Sequence, residues 1–208
     1  EGAVLETIPC EAVAMSGGWS PVVHLWSHCR GKLIWDEEQA HFRPDPSRPP
    51  INHDGQGFVI TAGSASGALQ TNVVLADAHR AASGAGTPPV SDVISEGPIM
   101  PVWVMPQGAG IEKRAKMFLD YQNDVKVSDV QLAAQEGYES VEHAKRYTTL
   151  GMATDQGKLS NINGLAVLSD ALHQPIPDTG TTTFRPPYTP ISMASIAGDA
   201  RGELFQPL

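Results

Sequence analysis

Cysteine is scarce in this chain, and its scarcity excludes several kinds of site. The sequence contains two cysteines, Cys10 and Cys29. Zinc sites and disulfide-dense scaffolds need more cysteines at closer, repeated spacings, and an iron–sulfur cluster needs about four thiolates. We therefore interpret both cysteines as structural residues of a protein from a reducing compartment.

Positive charge and long apolar runs are also lacking. The chain has 14 lysines and arginines against 23 aspartates and glutamates, which gives a formal net charge of -9 and a pI near 5.1. No basic stripe with interleaved aromatic residues is present, which excludes nucleic acid as a partner. No apolar run approaches the roughly 18 to 20 residues that span a bilayer, and no signal peptide opens the chain. The sequence predicts a cytoplasmic location and no membrane partner.

The two ends of the 208-residue sequence have unusual features. It begins with Glu1 rather than methionine, and a proline-rich stretch at 183–190 lies close to its last residue. Proline fixes extended backbone, which is typical of a linker. A linker with so few residues behind it predicts that the chain is an internal fragment of a longer protein.

Residues 57–82 carry the clearest α/β signal. An apolar strand candidate at 57–63 leads through small residues into a helix predicted at 68–82. The N-terminus of such a helix has partial positive charge and unpaired N–H groups, so the preceding turn can accept a pyrophosphate. The GxGxxG fingerprint is absent, and a purely structural strand–turn–helix unit stays open.

Turn and cap signals divide the rest of the chain. Glycine, proline and serine at 83–101 predict a surface connection. The other predicted strands are 5–15, 32–35, 41–43, 102–105 and 116–120. The other predicted helices follow Ser20, run 128–135, run from Ser140 to a stop at Gly151, and run from Asn161 or Asn163 to about Leu172, before Pro175 and Pro177.

One short segment gathers side chains that suit an anion. Arginine and lysine make charge-assisted hydrogen bonds to phosphate oxygens, and hydroxyl and amide groups complete such a shell. A solvated helix face whose cations match the helix dipole is the alternative. The candidate phosphate ligands are Lys145, Arg146, Thr148, Thr149, Gln156 and Lys158.

No catalytic or metal motif accompanies this segment. His24 and His28 stand four residues apart beside Cys29, but no third ligand is evident, and packing explains them. No Ser/His/Asp order, P-loop or paired-carboxylate motif is present. We therefore predict no acid, base, nucleophile or resident metal in this chain.

The segment 141–158 resembles the alpha subunits of heterotetrameric sarcosine oxidases. In the wider group of amine-oxidising flavoprotein subunits a similar segment reads Lys-Arg-x-Thr and then Gly-Met-Gly-x-Cys-Gln-Gly, with an earlier Cys-x-Cys, and those cysteines hold a [2Fe-2S] cluster. Here Lys145, Arg146, Thr148, Gly151 and Met152 match, whereas the cluster positions carry Asp120, Gln122, Asp155 and Ser160. The loss of the cysteines points to the sarcosine oxidase branch, although a hard-cation site at these carboxylates stays conceivable beside a collapsed polar remnant.

This resemblance implies an α/β fold in three parts. Residues 1–115 would be the C-terminal part of a Rossmann-like FAD/NAD(P)-binding domain, with a linker at 83–101. Residues 116–175 would be a small helical domain in place of a [2Fe-2S] domain. Residues 176–208 would be a linker and the start of an aminomethyltransferase (T-protein-like) domain.

The resemblance also implies cofactors and partners. The complex would oxidatively demethylate sarcosine with oxygen to give glycine and hydrogen peroxide, and form 5,10-methylenetetrahydrofolate. FAD would lie in the beta subunit, FMN at the interface with the beta subunit, tetrahydrofolate in the missing C-terminal domain, and gamma and delta subunits would complete the assembly. The candidate phosphate ligands would then hold the FMN phosphate. The implied NAD contacts are Gly63, Ser64, Ala65, Leu69 and Thr71.

Two other functions stay open. One is an alpha subunit of a related secondary-amine or opine dehydrogenase, whose electrons leave to a carrier. The other is a non-catalytic scaffold segment that binds a nucleotide. In each case the fragment alone is expected to be inactive.

Overall fold

The structure is a computed structural model that describes residues 4–14, 18–82, 86–94, 97–106, 108–184 and 189–198. The strands are β1 (Leu33–Asp36), β2 (His41–Pro44), β3 (Phe118–Asp120) and β4 (Val125–Lys126). The helices are α1 (His24–His28), α2 (Thr71–Ala82), α3 (Ile111–Arg114), α4 (Val127–Gln135), α5 (Val141–Thr148), α6 (Asn161–Ala171), α7 (Ile176–Thr179) and α8 (Met193–Ala197).

Both sheets within the described residues are antiparallel hairpins. Strands β1 and β2, which were predicted at 32–35 and 41–43, pair with Leu33 opposite Pro44 and Asp36 opposite His41. Trp35 and Phe42 meet edge to face across this pair. Strand β3 pairs with β4 through an irregular register. The sheet of a Rossmann-like domain is largely parallel, whereas the described residues of 1–115 form one antiparallel hairpin. The assignment of residues 1–115 to such a domain therefore stays a prediction.

Three predicted strands do not form. Residues 5–14, 58–62 and 102–103 have no regular secondary structure, and residues 15–17 lie outside the described residues. Leu5 is 97% exposed and Ile60 is 77% exposed. An extended segment becomes a strand only when a neighbour accepts its backbone hydrogen bonds, and here only Gly57 forms a bridge, to Ile51. Apolar composition therefore overstated strand formation.

The core lies in the second half of the chain. Helix α4 packs against α5 and α6, and the β3–β4 hairpin leads directly into α4. These helices agree with the predicted ones, although α4 begins one residue before Ser128, and the Asp129 carboxylate accepts the hydrogen bond of the Lys126 N–H. The core side chains are Leu119, Val125, Val127, Val130, Ala133, Val141, Ala144, Leu150, Leu165, Val167 and Leu168.

The residues after α6 include two short helices that the sequence patterns did not indicate. Helix α6 ends at Ala171, and α7 then begins after Pro175 with Pro177 in its first turn, where a missing N–H costs no hydrogen bond. Ser192 caps α8 by accepting from the Ser195 N–H. No helix within the described ranges is long and apolar enough to cross a membrane.

Candidate functional site

Helix α5 positions the two central cations of the candidate phosphate site. Ser140 precedes the helix, and Thr149, with a φ of 64°, ends it in the left-handed region, two residues before the predicted stop at Gly151. Val141 and Ala144 face the core. Lys145 is also buried, and only 9% of it is exposed, whereas the Arg146 side chain is 56% exposed.

Lys145, Arg146 and Gln156 line one open cavity of about 150 Å³, which we call the α5 pocket. Its remaining lining residues are Glu142, Gly151 and Met152. Glu142 Oε1 accepts a hydrogen bond from the Thr183 N–H at 2.6 Å, and Oε2 lies 3.9 Å from Arg146 Nη2. That separation is too long for a hydrogen bond, so the guanidinium keeps donors for a bound anion.

The other three predicted phosphate ligands do not converge on the α5 pocket. The Thr148 hydroxyl donates to the Ala144 carbonyl at 2.8 Å, and the Thr149 hydroxyl donates to the Thr148 carbonyl at 2.6 Å. Both hydroxyls thus complete the end of α5. Lys158 Nζ lies 3.2 Å from the Asp155 carbonyl and lines a different cavity.

That second cavity, the His24 pocket, has a volume of about 140 Å³. Lys158, Asn161, Phe184 and His24 are among its lining residues, and the rings of His24 and Phe184 lie 3.8 Å apart between centroids. Burial lowers the pKa of His24 to about 4, and the charges of Lys158 and His28 add to that effect. The imidazole is therefore neutral at physiological pH.

The predicted NAD turn is a 3₁₀ turn, Gly63–Ser66, and not the end of a strand. The Gly63 N–H donates to Asp77 Oδ2 at 2.8 Å, and the Ser66 hydroxyl donates to the same oxygen at 2.7 Å. These hydrogen bonds, that of Ser66 foremost, hold the pKa of Asp77 below its usual range. The Asp77 carboxylate of α2 thus accepts the hydrogen bond of the Gly63 N–H, which was predicted to face a pyrophosphate.

The other predicted NAD residues surround this turn. Ser64 and Thr71 are exposed, whereas Ala65 and Leu69 are partly buried. Helix α2 begins at Thr71, later than predicted, and buries none of its residues. The structure therefore leaves these four side chains accessible but does not bring them into a closed pocket.

Three of the four residues at the former cluster positions, Asp120, Gln122 and Asp155, lie in one hydrogen-bonded region. Asp120 is 3% exposed; its Oδ2 accepts from the Gly151 N–H at 2.8 Å, and its Oδ1 accepts from the backbone of Gln122 and Asn123. The Gln122 side chain accepts from the Asp155 N–H at 3.3 Å. Hydrogen bonds therefore join the two chain segments at these positions.

A cation at this place finds little support. Asp155 accepts from the N–H groups of Gly157 and Leu159, so its oxygens are also engaged. No group of three or more His, Cys, Asp or Glu side chains suits a metal ion within the part of the chain that the structure describes. Ser160 is buried with its hydroxyl unpaired.

Glu142 is the charged lining residue of the α5 pocket that was not among the predicted ligands. Glutamate in the first turn of a helix is common because its charge matches the helix dipole. We assigned Glu142 that role and therefore did not predict that it also lines the pocket. The signal was available, since Glu142, Lys145 and Arg146 have the i, i+3, i+4 spacing that puts side chains on one helix face.

Comparison with known proteins identifies relatives along the whole chain. Residues 114–200 match the family described as the sarcosine oxidase A3 domain. The chain is 43% identical over 212 residues to the sarcosine oxidase subunit alpha of Rhizobium meliloti (strain 1021), with 100% of this chain covered. It is 39% identical to the subunits of the same name from Corynebacterium sp. strains P-1 and U-96, with 95% of this chain covered in each case. The chain spans 21% of the length of each of these relatives.

A solved structure shares the fold. The crystal structure of L-proline dehydrogenase from P. horikoshii matches with a TM-score of 0.59 over 86% of this chain and 37% of that chain. The sequences are 18% identical, so this likeness concerns the fold alone. The family match at 114–200 and the relatives at 39% to 43% identity point to the same family as the residues around α5. The chain belongs to the sarcosine oxidase alpha subunit family.

Proposed function

We propose that this chain is part of the alpha subunit of a heterotetrameric oxidase that demethylates sarcosine with oxygen. The products would be glycine, hydrogen peroxide and 5,10-methylenetetrahydrofolate, and the partners would be beta, gamma and delta subunits. The support is the identity of 39% to 43% to proteins named as sarcosine oxidase alpha subunits. In this proposal the chain contributes cofactor contacts, and no residue of it acts as acid, base or nucleophile.

The α5 pocket would receive the phosphate of FMN at the interface with the beta subunit. The observation that carries this proposal is the convergence of Lys145, Arg146 and Gln156 on one open cavity. Two cations and an amide suit a phosphate, which carries about two negative charges near neutral pH. The Glu142 carboxylate opposes such a ligand, but its Oε1 is already engaged by the Thr183 N–H. Thr148 and Thr149 would support the pocket by completing the end of α5, and Lys158 would lie outside it.

NAD remains part of the proposal with a narrower set of contacts. Ser64, Ala65, Leu69 and Thr71 would contact the dinucleotide, whereas the Gly63 N–H is held by Asp77. FAD in the beta subunit and tetrahydrofolate in a further domain complete the cofactor set. The family relationship is the support for these three cofactors. The exposed side chains of Ser64 and Thr71 are compatible with NAD binding.

Replacement of Arg146 by glutamine tests the phosphate site. A hydrogen bond to a charged group contributes roughly 1.5 to 3 kcal/mol, so Arg146→Gln should lower FMN occupancy of the assembled complex about tenfold or more under limiting FMN. FMN is quantified against FAD after denaturation and proteolysis. Arg48→Gln is a matched control, because Arg48 is 59% and Arg146 56% exposed and each faces one carboxylate. Equal FMN-to-FAD ratios in the two variants would refute the site.

Cofactor analysis of the intact complex separates the alternatives. Iron-free protein with NAD, FAD and FMN that forms peroxide from sarcosine supports the oxidase. Iron, or electron transfer to a carrier without peroxide, supports the secondary-amine or opine dehydrogenase. Bound nucleotide without amine turnover supports the scaffold function. The hydrogen-bonded carboxylates Asp120 and Asp155 at the former cluster positions favour the first outcome.

A further inference from the structure

A third cavity, of about 450 Å³, lies where the segment before α3 meets α4 and α6. Its volume falls within the range of small-molecule sites, roughly 300 to 1,000 Å³. We call it the Arg114 pocket. Among its lining residues are Trp103, Arg114, Gln131, Ala166, Val167 and Asp170.

Arg114 supplies a hydrogen-bond donor that lacks an acceptor. Its Nη1 donates to Gln131 Oε1 at 2.8 Å, which joins the end of α3 to α4 and fixes the guanidinium. Its Nε is buried and has no hydrogen-bond partner. Gln131 therefore holds the guanidinium in the lining of the pocket, where its positive charge can pair with an anionic ligand.

The charges of the lining select among anions. Arg114 is the single cation among the described lining residues, and Asp170 adds one exposed carboxylate. A carboxylate ligand carries one charge, and its two oxygens match the fork of a guanidinium. A phosphate carries about two charges at neutral pH and would meet stronger repulsion from Asp170.

The other walls suit an apolar or aromatic body. Trp103 is partly buried at one side, and Ala166 and Val167 are buried residues of α6. An aromatic ring gains from contact with such walls through area burial and ring–ring packing. We propose that the Arg114 pocket binds a small organic monocarboxylate, with the carboxylate on Arg114 and the body against Trp103.

The test uses the full-length subunit in its complex and three probes, which are benzoate, benzyl alcohol and inorganic phosphate. Saturation-transfer NMR detects binding of the two aromatic probes, and competition against benzoate measures phosphate. We expect benzoate to bind with a Kd on the order of 1 mM or tighter, and benzyl alcohol and phosphate to bind at least tenfold more weakly. Arg114→Gln should weaken benzoate binding at least tenfold.

Asp170→Asn provides a variant that does not depend on the buried guanidinium. Asp170 is exposed, so its replacement leaves the core intact, and loss of its charge should tighten benzoate binding two- to fivefold as like-charge repulsion disappears. The proposal is overturned if benzoate fails to bind. It is also overturned if phosphate competes as well as benzoate does, or if neither variant changes benzoate affinity. Unchanged FMN content in both variants would separate this site from the α5 pocket.

Discussion

Carboxylates decide the local structure at two places, which are the predicted NAD turn and a former cluster position. Asp77 accepts from the Gly63 N–H in the turn that was predicted to face a pyrophosphate. Asp120 accepts from the Gly151 N–H, which lies 31 positions further along the chain. A carboxylate that accepts backbone N–H groups satisfies donors that would otherwise be buried without partners. In both cases one carboxylate joins two separate parts of the chain through a backbone N–H group.

The residue-scale prediction concerns Asp120. Asp120→Ala leaves the buried Gly151 N–H and two further backbone N–H groups without their acceptor. The free energy of unfolding should fall by about 2 to 4 kcal/mol, since each buried unsatisfied donor costs roughly 1 to 3 kcal/mol. Urea unfolding followed by circular dichroism measures it. Asp92→Ala is the control, because Asp92 is exposed. A loss no larger than that of the control would show that the Asp120 hydrogen bonds contribute nothing net.

At the scale of elements, the connection between α5 and α6 depends on residues in left-handed conformations. Thr149, Gly151, Gln156 and Gly157 all have positive φ, from 55° to 73°. This succession of turns folds the connection back over Asn161 at the start of α6. Consequently the α5 pocket and the His24 pocket lie on either side of the same connection, and Gln156 and Lys158 line different cavities.

The prediction at this scale is that Gly157→Ala destabilises the connection more than glycine conformation alone explains. A left-handed alanine costs about 1 to 2 kcal/mol, and a Cβ on Gly157 would also overlap the buried Asn161 side chain. Gly137→Ala is the matched control, because Gly137 has a φ of 89° and open space around its Cβ position. The free energy of unfolding should fall further for Gly157→Ala than for Gly137→Ala. Equal losses would show that the Asn161 contact yields without cost.

At the scale of the whole molecule, burial is concentrated in the second half of the chain. The core cluster runs from Leu119 to Leu168, with partly buried Phe42 and Val104 packed against it. Helix α2, in contrast, buries none of its 12 residues. Tertiary packing supplies most of the stability of a short helix, so the two halves of the described chain should differ in local stability.

Amide hydrogen exchange measures that difference. Helix α6 should exchange most slowly, because seven of its residues are buried, and α2 should exchange much faster despite its similar length. Mass spectrometry of peptides covering the two helices gives the rates. Equal protection of α2 and α6 would mean that contacts other than those of the core cluster hold α2 in place.

The candidate site was predictable only in part. The spacing of Glu142, Lys145 and Arg146 places them on one helix face, and the structure brings Gln156 to the same pocket. Nothing local to Lys158 indicates that it turns away, since its direction depends on the turns at Gln156 and Gly157. The Arg114 pocket could not be read from the sequence at all, because its lining comes from four separated segments.

Patterns in the sequence predicted α4, α5, α6 and the strands β1 and β2, and the segment 141–158 indicated the family of the chain. Their signals are local, since caps, apolar periodicity and turn residues act over one or two turns of backbone. Contacts between distant segments account for the rest: residues 58–62 stay outside any sheet, Asp77 accepts from the Gly63 N–H, and Asp120 accepts from the Gly151 N–H. A strand needs a neighbour and a buried carboxylate needs a donor, and both come from chain segments that no local pattern specifies.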